Sequence, residues 1–143
     1  MIKTIDHIGI AVKDIEQSLH LWKTMLGLQD HGIEKIKKRG VQVVRLDGEE
    51  GPSVELVSSL GETSPIDKFL KDRGEGIHHI CFKVLNIDAA VNSLQKRGVK
   101  FVDSEPREGS EGSLVAFISP GCFNGVLIEL KEEKKESENQ GSV

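Results

Sequence analysis

The sequence predicts an α+β fold in which two βαβββ modules merge into one curved mixed sheet. Three observations predict it. With His7 laid on His79, an offset of 72, Ile5-Asp6-His7-Ile8-Gly9-Ile10-Ala11-Val12 falls on Ile77-His78-His79-Ile80-Cys81-Phe82-Lys83-Val84. Later in each half, at an offset of 74, Ser53-Val54-Glu55-Leu56 falls on Leu127-Ile128-Glu129-Leu130. Within each half the apolar period changes from two to 3.6 and back to two, the mark of strand, helix and strands in succession.

Taken in order, residues 5–12 are short, β-branched and alternating, as a strand requires. Asp14 then opens a helix, with Gln17 three positions on to complete a capping box, and Ile15, Leu19, Trp22 and Leu26 share one face. Gly27 ends it. A strand follows at roughly Gln29–Ile36, the most weakly marked of the first half, and clearer ones at 41–46 and 53–57. Ser64 and Pro65 cap a linker helix whose buried stripe is Ile66, Phe69 and Leu70, and Gly74 and Gly76 end it. The second module repeats the plan: a strand at 77–84, an Asn86-capped helix with Ile87, Val91 and Leu94 inward, Gly98, and strands at 100–102, 114–118 and 125–130. The expected organisation is one domain over 1–131, with modules at about 3–60 and 76–131, the linker helix at about 64–73 and a disordered polar tail over 132–143. Lys131 is read as the first residue of that solvated stretch.

Composition narrows the function classes. Apolar residues at 37% and charged residues at 29% suit a soluble globular chain of 143 residues. The formal charge of −4, from 19 Lys+Arg against 23 Asp+Glu, provides no cationic field for nucleic acid. No apolar run approaches the ~20 residues that cross a bilayer, so no membrane partner is expected. Two cysteines, Cys81 and Cys122, cannot organise a disulfide framework. With no leader at Met1–His7, a cytoplasmic location is the expectation.

Strand alternation singles out four side chains. His7 points opposite to Ile8, Ile10 and Val12; His79 points opposite to Ile80, Phe82 and Val84; Glu55 opposes Val54 and Leu56; Glu129 opposes Ile128 and Leu130. The apolar face seats the helices, so His7, Glu55, His79 and Glu129 all project from the other. In one curved sheet they converge. Two imidazoles and two carboxylates form an octahedral set for a divalent transition metal with two positions open, a donor set that magnesium- or calcium-type oxygen cages do not use. Cobalt, manganese, nickel or zinc would all be accepted.

Other residues are assigned plainer roles. His78, by alternation, lies on the helix side, as a core residue or one that supports a ligand from behind. Lys35, Lys37, Lys38 and Arg39 form a basic cluster, expected to be a solvated turn; the other reading is contact with coenzyme A phosphates. Arg107 and Gly109-Ser110-Glu111-Gly112 form a loop, either a cover for the site or a hairpin connection. Cys81 is expected to pack inertly.

These motifs resemble the vicinal oxygen chelate (glyoxalase-like) superfamily over about residues 3–131, and within it the methylmalonyl-CoA epimerase family. The residues that carry the likeness are Ile5–Val12, the helix from Ser64-Pro65-Ile66 to Phe69-Leu70, Gly76-Ile77-His78-His79-Ile80-Cys81 and Gly125–Leu130. The linker helix leading into the paired histidines is what points to the epimerases. The resemblance implies metal ligands at His7, Glu55, His79 and Glu129, a homodimer, cobalt as the favoured metal and an acyl-CoA substrate. The implied reaction interconverts the epimers of methylmalonyl-CoA by removing and returning the α-proton through an enediolate whose charge the metal offsets. Many epimerases have Gln where this chain has Glu55, and some carry a Glu where it has Val43. Glu129 is therefore expected as one catalytic base and Glu55 as the other. Two other readings share the fold: a glyoxalase I-like lyase acting on a hemithioacetal, and a non-catalytic small-molecule binding module.

Overall fold

The computed structural model describes residues 1–61 and 64–133. Eight strands form a single mixed sheet: β1 (Ile2–Ala11), β2 (Gln29–Ile36), β3 (Val41–Asp47), β4 (Ser53–Ser59), β5 (Gly76–Val84), β6 (Arg107–Glu108), β7 (Leu114–Ile118) and β8 (Ile128–Glu132). Their order is β2-β3-β4-β1-β5-β8-β7-β6. The first module supplies one half of the sheet and the second the other. They meet where β1 lies antiparallel to β5, while β1 with β4 and β5 with β8 run parallel. The sheet is the curled half-barrel of a glyoxalase-like α+β fold.

Local chemistry sets the helices. Asp14 accepts from the Gln17 amide at 3.0 Å and opens α1 (Ile15–Leu26). Ser64 accepts from the Asp67 amide at 3.1 Å ahead of α2 (Pro65–Arg73), and Asn86 from the Ala89 amide at 2.9 Å ahead of α3 (Ile87–Lys96). Each such cap contributes about 1 kcal/mol. The convex face holds two cores. Val12, Ile15, Val44, Leu46 and Leu56 pack with half-buried Leu19 and Trp22 under α1; Val84, Ile87, Ala90, Val91, Ala116, Ile118 and Leu130 pack under α3. Leu56 has no exposed surface. Leu56→Ala is expected to remove about 3 kcal/mol of stability, read as a lower denaturant midpoint at unchanged m-value.

Several expectations are corrected. The inward stripe of α1 stops at Trp22, and Leu26 is exposed. The weakly marked strand at Gln29–Ile36 is complete and pairs with β3. Instead of a strand at 100–102, only Phe101 bridges to Ile118, and the short β6 takes the sheet edge. The last strand begins at Ile128, not 125, because Gly125 turns the chain at φ 80°. It runs on to Glu132, so the tail does not begin at Lys131 or at 132. Lys131 is buried, and the Glu132 carboxylate accepts from the Ile87 amide at 3.2 Å, holding the start of α3. Residues 134–143 of the expected tail lie outside the described residues. Finally, α2 does not join the other helices. Ile66 packs on Ala11, Val41, Val43 and Val57, which line the concave face, and so walls one side of the site.

Candidate metal centre

Two strands of each module bring one side chain apiece to the concave face: His7 from β1, Glu55 from β4, His79 from β5 and Glu129 from β8. All four are buried. The His7 and His79 Nε2 atoms stand 3.0 Å apart, and Glu129 Oε1 lies 3.3 Å from the first and 3.1 Å from the second. Glu55 Oε1 lies 3.6 Å from His7 Nε2. The four residues selected by alternation thus meet, with His7, His79 and Glu129 the tightest group and Glu55 just outside it.

The outer nitrogens decide what this cluster can hold. His7 Nδ1 is 2.8 Å from Asp6 Oδ2, and His79 Nδ1 is 2.9 Å from His78 Nδ1. A hydrogen on each ligand Nδ1 satisfies both contacts and leaves both Nε2 atoms as lone pairs. Two lone pairs and a carboxylate oxygen around one point repel unless a cation sits among them. A proton is the smallest such cation. A divalent metal also fits: bonds of about 2.1 Å place neighbouring donors about 3.0–3.4 Å apart, and the three donor pairs here match that spacing. The set could therefore hold a divalent metal ion.

Electrostatics agrees with the geometry. Burial opposes a charge on His7, but hydrogen bonding to Asp6, Cys81 and Glu129 and the charge of Glu55 outweigh it and raise its pKa to about 12. The two carboxyls diverge. Burial, reinforced by the charge of Glu129, raises Glu55, whereas both imidazoles overcome burial and pull Glu129 well down. Asp6 is also held low against burial by His7, Lys131 and Arg45. Burial lifts the Cys81 thiol to about 12, in keeping with inert packing.

A pH dependence follows. Because the raised His7 holds its proton up to a pKa of about 12, a metal must displace that proton. Apparent cobalt affinity should rise about tenfold per pH unit from pH 6 to 9, with one proton released per ion. Calorimetry in two buffers of different ionisation enthalpy counts the proton. In the metal-free protein the same group adds stability that is complete below the unfolded value of 6.5 and is lost as pH rises through the folded one.

Two site residues escaped the sequence reading. Asp6 lines the back of His7, where Arg45 Nη1 at 3.2 Å and buried Lys131 Nζ at 3.3 Å balance its charge. His78 does not lie on the convex side with α1 and α3, as alternation predicts. It lies against Phe69 of α2, ring centroids 4.9 Å apart, and lines the same cavity as His79. Burial, then the neighbouring His79, lowers its pKa to about 4, so it is neutral at physiological pH. The only sequence signal for either was adjacency to a selected histidine.

The cavity in front of the cluster measures about 590 Å³. Glu55, His79 and Glu129 form part of its floor, with Val43 beside them. Lys37, Lys38, Arg39 and Arg107 also line it, so the exposed turn that carries three of the four cluster residues borders the cavity, while Lys35 does not. Arg39 lies over the Phe117 ring at 4.6 Å. The 109–112 segment is tied down: Ser113 Oγ donates to the Ser110 carbonyl at 2.7 Å, and the Glu111 amide donates to Glu34 of β2 at 3.1 Å.

The sequence and the fold match known proteins. The model of the Glyoxalase/Bleomycin resistance protein/Dioxygenase superfamily matches residues 6–117. The mitochondrial methylmalonyl-CoA epimerase of Dictyostelium discoideum is 36% identical over 133 residues, 92% of this chain and 80% of that one. A hypothetical protein from Bacillus halodurans superposes with a TM-score of 0.88 at 40% identity, covering 95% of this chain and 98% of that one. A variant of the Streptomyces coelicolor methylmalonyl-CoA epimerase in complex with 2-nitronate-propionyl-CoA superposes with a TM-score of 0.88 at 32% identity, covering 94% and 100%. Matched by that model over most of its length, and sharing the fold of these proteins, the chain belongs to the glyoxalase/bleomycin resistance protein/dioxygenase superfamily.

Proposed function

We propose that this protein is a metal-dependent epimerase of methylmalonyl-CoA, with His7, Glu55, His79 and Glu129 as metal ligands and Glu129 and Glu55 as the proton-transferring pair. The observation that carries the reading is the convergence of two imidazole Nε2 atoms and Glu129 on one buried point, with Glu55 beside it, on the floor of a cavity bordered by cationic side chains. When bound, a divalent cation, cobalt by preference, would supply electrophilic stabilisation for the negative charge that an acyl thioester develops as its α-proton leaves.

The chain's own groups account for the proton. Inverting a carbon acidified by a thioester and a carboxylate needs a base on one face and an acid on the other. The two buried carboxyls of the cavity are biased in opposite directions: Glu129 is kept ionised by two imidazoles, and Glu55 is kept towards its protonated form by burial. Such a split suits a base in one and an acid in the other, with the roles exchanged in the reverse direction. They come from repeat-related strands on either side of the histidines, which suits opposite faces of a planar intermediate. Val43 lines the cavity but cannot carry a proton, which leaves the second role to Glu55. Lys37, Lys38, Arg39 and Arg107 suit a polyanionic acyl-CoA. The epimerases named above support the same substrate class.

The test is α-proton exchange. Methylmalonyl-CoA in D₂O with cobalt-loaded protein should take up deuterium and lose optical activity, and a chelator should stop both. Absence of exchange with metal bound would sink the reading. Glu55→Gln should slow exchange at least ~10²-fold with metal retained; exchange at the wild-type rate would remove Glu55 from the mechanism.

A further inference from the structure

We propose that Asp6 and His78 are positioning residues, each placed by a β-bulge to fix the tautomer and aim of one site imidazole. The inference rests on the metal-site reading above and concerns how the protein builds that site. Along the β1–β5 seam, Ile5 pairs with Phe82 and His7 with Cys81, so Asp6 is an extra residue in β1. Gly9 pairs with His79 and Ile10 with Ile77, so His78 is an extra residue in β5. A bulge breaks the two-residue alternation and lets neighbouring side chains share a face. Both bulges do so here, turning Asp6 and His78 to the concave side beside His7 and His79.

The two bulged residues are also repeat mates. The offset that lays His7 on His79 lays Asp6 on His78. Each meets the same atom of its neighbour, Nδ1, at 2.8 Å for Asp6 and 2.9 Å for His78. One device is thus built twice with different chemistry. Asp6 accepts as a carboxylate, with Arg45 at 3.2 Å, Lys131 at 3.3 Å and Lys83 at 3.8 Å around it. His78 accepts as a neutral imidazole braced by Phe69, and the far side of the His79 ring meets Phe117 at 5.8 Å between centroids. In both, the Nδ1 hydrogen is held outward and the Nε2 lone pair is sent to the common point. Outer partners of metal-binding imidazoles act in this way, and their loss costs 10–100-fold in affinity.

The experiment titrates metal-free protein with cobalt, following calorimetry and visible absorption, for wild type, Asp6→Asn, His78→Phe and His78→Asn. Asparagine can present an oxygen near the place of the His78 Nδ1; phenylalanine fills the space without an acceptor. Expected are affinity losses of about 10–100-fold for Asp6→Asn and about tenfold for His78→Phe, each with an altered cobalt spectrum. His78→Asn should stay within about threefold of wild type. Wild-type affinity and spectrum in both Asp6→Asn and His78→Phe would overturn the proposal, as would equal losses in His78→Phe and His78→Asn. A wild-type protein that takes up no cobalt overturns the metal reading itself, and this inference with it. Should the variants fold poorly, imidazole nitrogen NMR of zinc-loaded wild type answers the same question: a proton on Nδ1 of both His7 and His79 is expected, and one on Nε2 of either overturns it.

Discussion

Replacing Gly9 by alanine is expected to disable the metal centre while leaving the sheet intact. An alanine Cβ at this position would stand 2.0 Å from His79 Cε1, 2.3 Å from Nδ1 and 2.5 Å from Nε2. Glycine is needed here for space, since its backbone is not in the left-handed region. The ring cannot slide aside cheaply: His78 meets its Nδ1, Phe117 lies at its edge and Glu129 stands 3.1 Å from its Nε2. Relief therefore moves His79 by about an ångström or more, enough to take one donor out of a coordination sphere with little tolerance in its bond lengths. Cobalt affinity should fall at least ~10²-fold, beyond the effect of losing an outer partner. The overpacking should cost about 1–3 kcal/mol of stability. A cobalt titration beside a thermal melt separates these effects, and undiminished affinity would show that the ring has a free place to go.

Glu129→Gln should have the largest effect on turnover. The side chain keeps its size and loses the carboxylate charge that stands within 3.3 Å of both Nε2 atoms. If Glu129 serves as metal ligand and base together, exchange of the α-proton should fall at least ~10³-fold. A second readout needs no substrate. Hydrogen bonding to Glu129 is one of the influences holding His7 protonated, so the His7 titration in metal-free protein should move down in the variant. NMR of the imidazole would show it. An unmoved titration would mean that Asp6, Cys81 and Glu55 suffice to keep the proton in place, and the cluster would be less coupled than its distances indicate.

The repeat and the strand period made much of this legible. His7, Glu55, His79 and Glu129 could be selected because the residues that follow the two histidines and flank the two glutamates alternate, and the two modules do take equal shares of the sheet. What was missed lies where the period fails. His78 was assigned to the helix side because alternation was carried straight through 77–84, across a bulge that only pairing with β1 reveals. Lys131 read as the start of a charged tail because nothing local announces Asp6, 125 positions away, as its partner. The stripe of α2 was correct, yet periodicity says nothing about which face of a sheet a helix covers. Ile66 found the concave side because Ala11, Val41 and Val57 form an apolar patch there. The 100–102 segment has strand-like composition but meets β7 only at one bridge.

The antiparallel seam of β1 and β5 has a consequence for how the chain comes to be folded. The chain up to β4 supplies four neighbouring strands, β2-β3-β4-β1, and that half ends in the edge of β1, which β5 covers. An unpaired edge of this kind invites a partner strand. The nearest match for β5 that such a half can find is the β1 of another half, since the two strands are repeat mates. A chain truncated before Gly76 is thus primed to pair with itself, two-fold and edge to edge, bringing two copies each of His7 and Glu55 to one axis. The observed order of strands is the same arrangement, with its two halves joined by a linker helix.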